Sequence, residues 1–313
     1  MIGHTSAMKT TTWLRRGILA CVLVLPRGLA AQETAALGIG DWLTVSSNMD
    51  ASFRRTQFFE PRYKTVLFDV ESRVEFWLPP FRGSFSWGPY IRVAAIASSR
   101  DQPWENAWLG APGVGLQAFP FSSAGARGTG AGRWLGPLRV FAEYDVVRYW
   151  GVANSWRPTR RTRIGADYWR AFHVNDHSHA WWGETWHGVS WNSSNEFSSS
   201  YDTTVLANAV RLGVRKPNGG AVSSIAPYGI VESSWTRNDE YYWENRLLLG
   251  GGLRVAPDLA RRNRPGRGMW LTRMVFYAEY LRSAAFYGVT APPSVPRFDV
   301  RVGVGASVGD WYK

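Results

Sequence analysis

The stretch Val66–Leu78, VLFDVESRVEFWL, decides the fold of this chain, because apolar and charged residues alternate along it. The apolar positions are Val66, Phe68, Val70, Val74 and Phe76, and the charged positions are Asp69, Glu71, Arg73 and Glu75. Successive side chains of a β-strand point to opposite faces, so a period of two predicts a strand with one apolar and one charged face.

The same alternation recurs along the chain, most clearly in Phe298–Val308, FDVRVGVGASV. Segments rich in Pro, Gly and Asn, such as Pro79-Pro80 and Lys216–Gly220, separate the alternating runs. We therefore predict about twelve strands. Their approximate ranges are 42–48, 65–78, 88–98, 105–119, 134–149, 159–168, 181–192, 203–215, 226–236, 243–256, 269–282 and 297–308.

Two closed architectures use two-faced strands of this kind. A soluble β-sandwich buries the apolar face, whereas a membrane barrel turns it toward lipid and encloses the charged face. Strands of about 10–15 residues and aromatic residues near the strand ends favour the barrel. The tryptophans that fit interfacial girdles are Trp77, Trp87, Trp150, Trp169, Trp181, Trp182, Trp270 and Trp311. The predicted fold class is all-β, a closed antiparallel transmembrane β-barrel.

The first 31 residues have the features of a secretory signal peptide. Lys9, Arg15 and Arg16 precede the short apolar run Gly17–Leu25, and small residues follow at Gly28–Ala31. The only cysteine, Cys21, lies in this segment, so residues 32–313 hold no disulfide. Export of a barrel implies the outer membrane of a Gram-negative bacterium, with residues 32–313 as its single domain.

Composition narrows the class of protein further. The chain of 313 residues has 36 Lys and Arg against 24 Asp and Glu, a net charge of +12, and residues 32–313 retain +8. Its aromatic content of 15% excludes a disordered chain. No apolar run reaches the roughly 18 residues of a transmembrane helix. Nucleic acid is not an expected partner of an exported chain.

Short motifs recur at nearly constant spacing, which predicts a tandem duplication of six strands. Pro89-Tyr90 returns as Pro227-Tyr228, and Ala142–Tyr144 returns as Ala278–Tyr280. A glycine-rich run, Gly113–Leu116, corresponds to Gly250–Leu253. All the offsets lie between 136 and 139 residues and follow the chain in order. The predicted repeats span about 41–170 and 180–313.

The charged faces of these strands would line the barrel lumen. The predicted lumenal network is Asp69, Glu71, Arg73, Glu75, Arg92, Arg139, Glu143, Arg163, Arg211, Glu244, Arg246, Arg254, Arg273, Glu279 and Arg301. Positive and negative side chains are mixed in this network, so one interpretation is a structural lattice of ion pairs. The other is a basic track that guides an anionic oligosaccharide, since Arg forms bidentate contacts with anionic groups.

Histidine and tryptophan cluster between the two repeats. Trp181, Trp182, Trp186 and Trp191 are candidates for stacking on sugar rings. His177 and His179 would share a strand face and are weak candidates for a zinc site, so no metal and no cofactor is predicted. Gly305–Gly309 matches a nucleophile-elbow pattern but lacks the strand–turn–helix context that this chemistry needs. No catalytic residue is predicted.

Three segments carry a resemblance to a known family. They are Ala180–Trp186, Trp191–Asn195 and Tyr242–Arg254. They resemble outer-membrane barrel domains of exopolysaccharide-export systems, and are similar to the C-terminal region of the bacteriophage N-four adsorption protein A family. The resemblance spans about Asp41 to Lys313. Family members carry periplasmic helical repeats, so it implies that such a partner is a separate polypeptide.

The sequence favours a non-enzymatic conduit or surface component for exopolysaccharide export, with a possible use as a phage receptor. Expected partners are outer-membrane lipid, lipopolysaccharide and an anionic polysaccharide. One alternative is a barrel enzyme that acts on lipid or lipopolysaccharide, which would place a histidine beside a hydroxyl or carboxylate on the lipid-facing side. A second alternative is a soluble periplasmic β-protein that binds carbohydrate.

Overall fold

A computed structural model describes twelve separate stretches of the chain. They are residues 44–56, 65–81, 85–98, 107–122, 132–149, 159–173, 179–195, 201–217, 222–237, 245–257, 273–286 and 297–308. The predicted signal peptide, residues 1–31, lies outside them. Among the described residues, no helix has the length and apolar character needed to cross a membrane.

Nearly all of these residues form β-strands. The long strands are β1 (Thr44–Thr56), β2 (Thr65–Phe81), β3 (Phe85–Ser98), β4 (Ala107–Phe119), β5 (Leu138–Tyr149), β6 (Thr159–Phe172), β7 (Trp181–Ser194), β8 (Tyr201–Val214), β10 (Val222–Thr236), β11 (Arg246–Pro257), β12 (Arg273–Phe286) and β13 (Phe298–Val308). A two-residue strand, β9 (Lys216–Pro217), follows β8 and also pairs with β10. One short helix, α1 (Gly132–Leu135), precedes β5.

The sheet closes on itself. Every long strand pairs antiparallel with its neighbours in the chain, and β1 also pairs with β13 through ten residue pairs from Ser47↔Val308 to Thr56↔Asp299. Because β9 only extends the position of β8, the closed wall has twelve strands. The prediction of a closed, twelve-stranded antiparallel barrel is confirmed, and the soluble β-sandwich is wrong.

Strand boundaries depart most from expectation at the start of the barrel. The sequence predicts the first strand at 42–48, whereas β1 runs from Thr44 to Thr56. Its second half mixes Arg54 and Arg55 with small residues, so the alternation is weak there. Backbone pairing with β2 and β13 on both sides carries the strand onward regardless.

The two faces of the wall have opposite character. The outer face is apolar and open, as shown by Leu212, Leu116 and Val302, whose exposed fractions are 62%, 52% and 54%. The inner face buries charged groups, and Asp145 and Asp299 are only 1% and 2% exposed. A soluble protein would bury the apolar face instead. A surrounding lipid bilayer stabilises this inverted arrangement.

A contact between a tyrosine, a glycine and an acidic residue spans three consecutive strands, and it occurs three times in the described part of the barrel. In the first case, the Tyr90 ring of β3 lies against Gly115 of β4, and its hydroxyl donates to Glu143 of β5 over 2.9 Å. A Cβ on Gly115 would lie 2.1 Å from Tyr90 Cζ, so only glycine permits this approach. The other two sets are Tyr228–Gly252–Glu279 and Tyr277–Gly303–Asp50.

The first two of these sets occupy corresponding positions in the predicted repeats. Tyr90 and Tyr228 belong to the recurring Pro-Tyr pair, and Glu143 and Glu279 belong to the recurring Ala-Glu-Tyr motif. A duplication predicts such paired contacts, and the duplication itself stays a prediction.

Candidate functional site

The lumen of the first half of the barrel is organised around Glu143. This carboxylate accepts hydrogen bonds from the Tyr90 hydroxyl at 2.9 Å, from Arg92 at 3.0 Å and from Arg163 at 3.1 Å. Arg92 also holds Glu71 through two bonds of 2.9 Å each. Asp145, two residues further along β5, accepts from Arg161 at 3.0 Å. We call this set the first lumenal network.

A second lumenal network forms around Glu279 in the other half. Glu279 accepts from the Tyr228 hydroxyl at 2.7 Å and from Arg211 Nε at 3.0 Å. Arg301 bonds both oxygens of Glu232, at 2.7 and 2.8 Å, and also donates to Asp299 at 2.6 Å. The arrangement around a central glutamate therefore repeats that of the first network.

Arg254 extends the second network to β7. Its Nη2 donates to Glu184 at 2.8 Å, and its guanidinium lies 4.2 Å from the centre of the Trp182 ring. Arg211 contacts the same carboxylate at 3.5 Å. The ion pair of Arg254 and Glu184 thus joins β11 to β7 past two intervening strands.

Burial explains why these charges are paired. An isolated charge in a poorly solvated site costs several kcal/mol, and removing one member of a buried pair exposes the other to that penalty. Glu143 and Glu279 have side chains only 1% and 2% exposed, so their arginine and tyrosine partners compensate that cost. The networks therefore tie neighbouring strands together at fixed register.

Between the networks lies a lumenal cavity of about 940 Å³. This volume is at the upper end of the roughly 300–1,000 Å³ found for small-molecule sites. The charged groups that line it include Asp69, Arg73, Arg139, Glu184, Arg246 and Arg254, and aromatic rings come from Trp169 and Trp186. A polar molecule with faces that can stack and hydroxyls that can hydrogen-bond suits these walls.

The structure places most of the predicted network residues on the lumenal side. The residues that form an ion pair or line the cavity wall are Asp69, Glu71, Arg73, Glu75, Arg92, Arg139, Glu143, Arg163, Arg211, Arg246, Arg254, Glu279 and Arg301. Glu244 lies outside the described residues. Arg273 belongs to β12, where its backbone pairs with Ser307.

The predicted network lacks several lumenal residues, among them Asp50, Arg54, Glu184 and Glu232. Asp50 and Arg54 lie beyond the predicted end of the first strand, and both line the cavity. Glu184 stands among the clustered tryptophans of β7, at a position that lines the lumenal cavity. Glu232 shares the face of Tyr228 at a spacing of four, so the alternation along β10 held the signal that would have identified it.

The four tryptophans proposed for sugar stacking lie in three different environments. Trp186 lines the lumenal cavity. Trp181 and Trp191 stand on the outer face, 46% and 42% exposed. Trp182 is a correction: it is 1% exposed, covered by Tyr228 and Arg254, and presents no free ring face. Its expected place in a girdle is wrong for the same reason, and Trp169 also faces the lumen.

The histidines separate into two groups. His177 lies outside the described residues, and His179 stacks on His173 with ring centres 3.6 Å apart. Within the described ranges, no group of three or more His, Cys, Asp or Glu side chains is placed to hold a metal ion. His187 stands on the outer face, where its Nδ1 lies 2.8 Å from Asn208 Oδ1 and its Nε2 is hydrogen-bonded to Thr185 Oγ1.

Comparisons with known proteins give structural neighbours only. No protein-family model and no curated protein matches the chain. The β domain of the Bordetella autotransporter BrkA is 11% identical, with 86% of this chain and 100% of that chain covered and a TM-score of 0.42. The translocator domain of the autotransporter NalP from Neisseria meningitidis is 10% identical, covering 96% and 97%, with a TM-score of 0.38. A bacterial polysaccharide outer-membrane secretin is 11% identical, covering 85% and 98%, with a TM-score of 0.33.

The barrel's own geometry defines its class. A closed antiparallel wall of twelve strands, apolar outside and charged inside, is the architecture of transmembrane barrels of bacterial outer membranes. The protein is an outer-membrane β-barrel with a polar, charged lumen.

Proposed function

We propose that this barrel is a conduit for exopolysaccharide across the outer membrane, and that its lumen acts without catalysis. The observation that carries the proposal is the lumenal cavity, which combines paired charges of both signs with the rings of Trp169 and Trp186. Sugar hydroxyls can donate to carboxylates and accept from guanidinium groups, and sugar rings can pack on aromatic faces.

Pairing of the arginines favours a structural lattice over a basic track. Arg92, Arg211 and Arg301 each contact at least two carboxylates, so little of their charge is left to attract an anion. A polysaccharide of low charge density, held by hydrogen bonds and stacking, fits such a lumen better than a polyanion. An anionic polysaccharide would be accepted through its hydroxyls more than through its charge.

The partners follow from this role. The apolar outer face would contact lipid and lipopolysaccharide, and delivery of polymer from the periplasm would need a separate helical-repeat protein of the kind that the sequence resemblance implies. A role as a phage receptor rests on that resemblance alone.

Single-channel recording of the refolded protein in planar bilayers tests the proposal. We expect open-channel current that neutral and acidic oligosaccharides interrupt in a concentration-dependent manner. Trp186→Ala should weaken that block by roughly threefold to tenfold, equivalent to about 0.7–1.4 kcal/mol for one ring contact.

The matched control is Trp181→Ala on the same strand. Trp181 faces outward, so its removal should leave the block unchanged while testing for a general effect of losing a tryptophan from β7. A folded barrel that gives no current, or a block that both variants weaken equally, would refute the conduit.

A further inference from the structure

A polar cluster interrupts the apolar outer face between β6 and β10. It consists of Tyr168, Thr185, His187, Asn208 and Ser233, and we call it the outer polar cluster. His187 is paired directly with Tyr168 on one side and with Asn208 on the other, and Asn208 is paired with Ser233. Directly opposed residues of neighbouring strands share a face. Trp186, which lies between Thr185 and His187, lines the lumen, so the side chains of Thr185 and His187 face away from the proposed conduit.

The cluster forms a continuous chain of hydrogen bonds. Thr185 Oγ1 is bonded to His187 Nε2, His187 Nδ1 lies 2.8 Å from Asn208 Oδ1, and Asn208 Nδ2 donates to Ser233 Oγ over 3.1 Å. Since Asn208 Oδ1 can only accept, the Nδ1 nitrogen carries the imidazole hydrogen. The Nε2 lone pair is then directed at the Thr185 hydroxyl.

The hydroxyl, imidazole and amide groups of Thr185, His187 and Asn208 are arranged as in a site with an activated nucleophile. A hydroxyl hydrogen-bonded to an imidazole, which a third group orients from its other nitrogen, is the arrangement that lets the hydroxyl lose its proton as it attacks a carbonyl.

The location of the cluster indicates its substrate. Trp235, 49% exposed, stands two residues beyond Ser233 on the same outer face, and Trp191 stands four residues beyond His187. These exposed aromatic residues place the cluster on the lipid-facing side of the wall. The acyl chains of membrane lipids are held by ester bonds. Val189 and Val210, 41% exposed each, flank the cluster and offer apolar surface to an acyl chain.

We propose that the outer polar cluster is an acyl-transfer site for ester-linked acyl chains of membrane lipids. Thr185 Oγ attacks the ester carbonyl while His187 Nε2 takes the hydroxyl proton. The C–O bond to the lipid alcohol breaks, His187 returns the proton to that alcohol, and an acyl-threonine remains. Water, deprotonated by His187, then releases the fatty acid and restores Thr185.

Fatty-acid release from defined lipids tests this site. The full chain, folded in detergent and checked by its heat-modifiable gel mobility, is incubated with phosphatidylethanolamine in mixed micelles and separately with purified lipopolysaccharide. We expect release from at least one of them, and the pair identifies which lipid supplies the ester. His187→Ala and Thr185→Ala should each lower the rate by roughly 10²- to 10⁴-fold, whereas Thr185→Ser should retain it.

A second readout identifies the nucleophile directly. A lipophilic alkyl fluorophosphonate should form an adduct on Thr185 that mass spectrometry locates, and His187→Ala should abolish it. Ser193→Ala, a change to another hydroxyl residue of β7, serves as the control and should alter neither measurement. A folded protein that takes up no label and releases no fatty acid from either lipid overturns the proposal, as does full activity in His187→Ala.

These outcomes are separate from those of the conduit. His187→Ala alters the outer face only, so it should leave the single-channel current and its oligosaccharide block unchanged. Loss of lipid activity with intact conductance would thus support the outer site independently of the lumen.

Discussion

At the scale of single residues, the three contacts of tyrosine, glycine and acid fix the register of the wall. Each tyrosine spans the strand beside it by lying on a glycine, and its hydroxyl reaches a carboxylate on the strand beyond. One side chain therefore links three strands. A shift of any one of these strands by one residue would turn that strand's member of the contact to the opposite face and break the contact.

The glycine beneath Tyr90 should be sensitive to a single added methyl group. In Gly115→Ala, the new Cβ would meet the tyrosine ring at 2.1 Å, so the ring must move away from Glu143. Overpacking of this kind costs about 1–3 kcal/mol of unfolding free energy. Urea unfolding in lipid vesicles measures it. Gly229→Ala is the control, since its nearest neighbour would be 4.0 Å away, and equal losses in the two variants would contradict the steric account.

Neutralising the central glutamate of the first network should be costly. Glu143→Gln leaves Arg92 and Arg163 without their shared carboxylate, and breaking a buried ion pair from one side typically costs about 3–5 kcal/mol. Glu71→Gln, at a side chain 41% exposed, should cost less because water can solvate the arginine that remains. Comparing the unfolding free energies of the two variants tests this order, and a larger loss for Glu71→Gln would reverse it.

At the scale of the strand, depth in the membrane determines what the outer face tolerates. Ile164 is 53% exposed on the outer face near the middle of β6, whereas Ile225, 39% exposed, lies near the start of β10. An arginine facing lipid costs about 2–4 kcal/mol at the bilayer centre and about 0–1 kcal/mol near its edge.

Arginine substitutions at these two sites should therefore differ in effect. We expect Ile164→Arg to destabilise the barrel in lipid vesicles clearly more than Ile225→Arg. In detergent micelles, which adapt to a charged group, the difference should shrink. Equal penalties in vesicles would show that the apolar outer face is not buried in a bilayer.

The period-two pattern predicted the strands and their faces because each barrel strand divides lipid from lumen one residue at a time. The pattern failed to predict β1 beyond residue 48, because Asp50 and Arg54 stand among small residues there. Pairing with the neighbouring strands continues β1 through this segment. The pattern also placed Trp182 in a girdle, although that ring is buried against Tyr228. Alternation assigns a face to a residue, but it does not say what covers the side chain there.

The sequence did not predict which charged residues pair with each other inside the lumen. Arg254 and Glu184 are 70 residues apart, and two strands lie between them in the sheet. Their contact depends on the curvature of the barrel wall and on the stagger of its strands. Neither property can be predicted from the residue pattern of a single strand. The hydrogen-bonded chain of Thr185, His187 and Asn208 depends likewise on the register of β7 against β8.

At the scale of the whole molecule, the lumenal charges largely compensate one another. The two networks pair arginine with carboxylate on opposite halves of the wall, so the cavity should present little net field to a passing ion. We expect a reversal potential close to zero across a bilayer with a gradient of potassium chloride. Glu232→Gln, which frees charge on Arg301 and Arg211, should shift the current toward anions, and strong anion selectivity in the unaltered protein would contradict the balance.

The seam between β1 and β13 has a consequence for the order of events during assembly. Thr56 and Asp299 meet across it, although 243 residues separate them along the chain. Contacts between such distant segments require the intervening polypeptide to be arranged first, and they slow folding accordingly. Until the final strand arrives, β1 keeps an unpaired edge that other chains can join. We therefore expect the pairing of β1 with β13 to be a late step of assembly, and the edge of β1 to need protection from other chains until then.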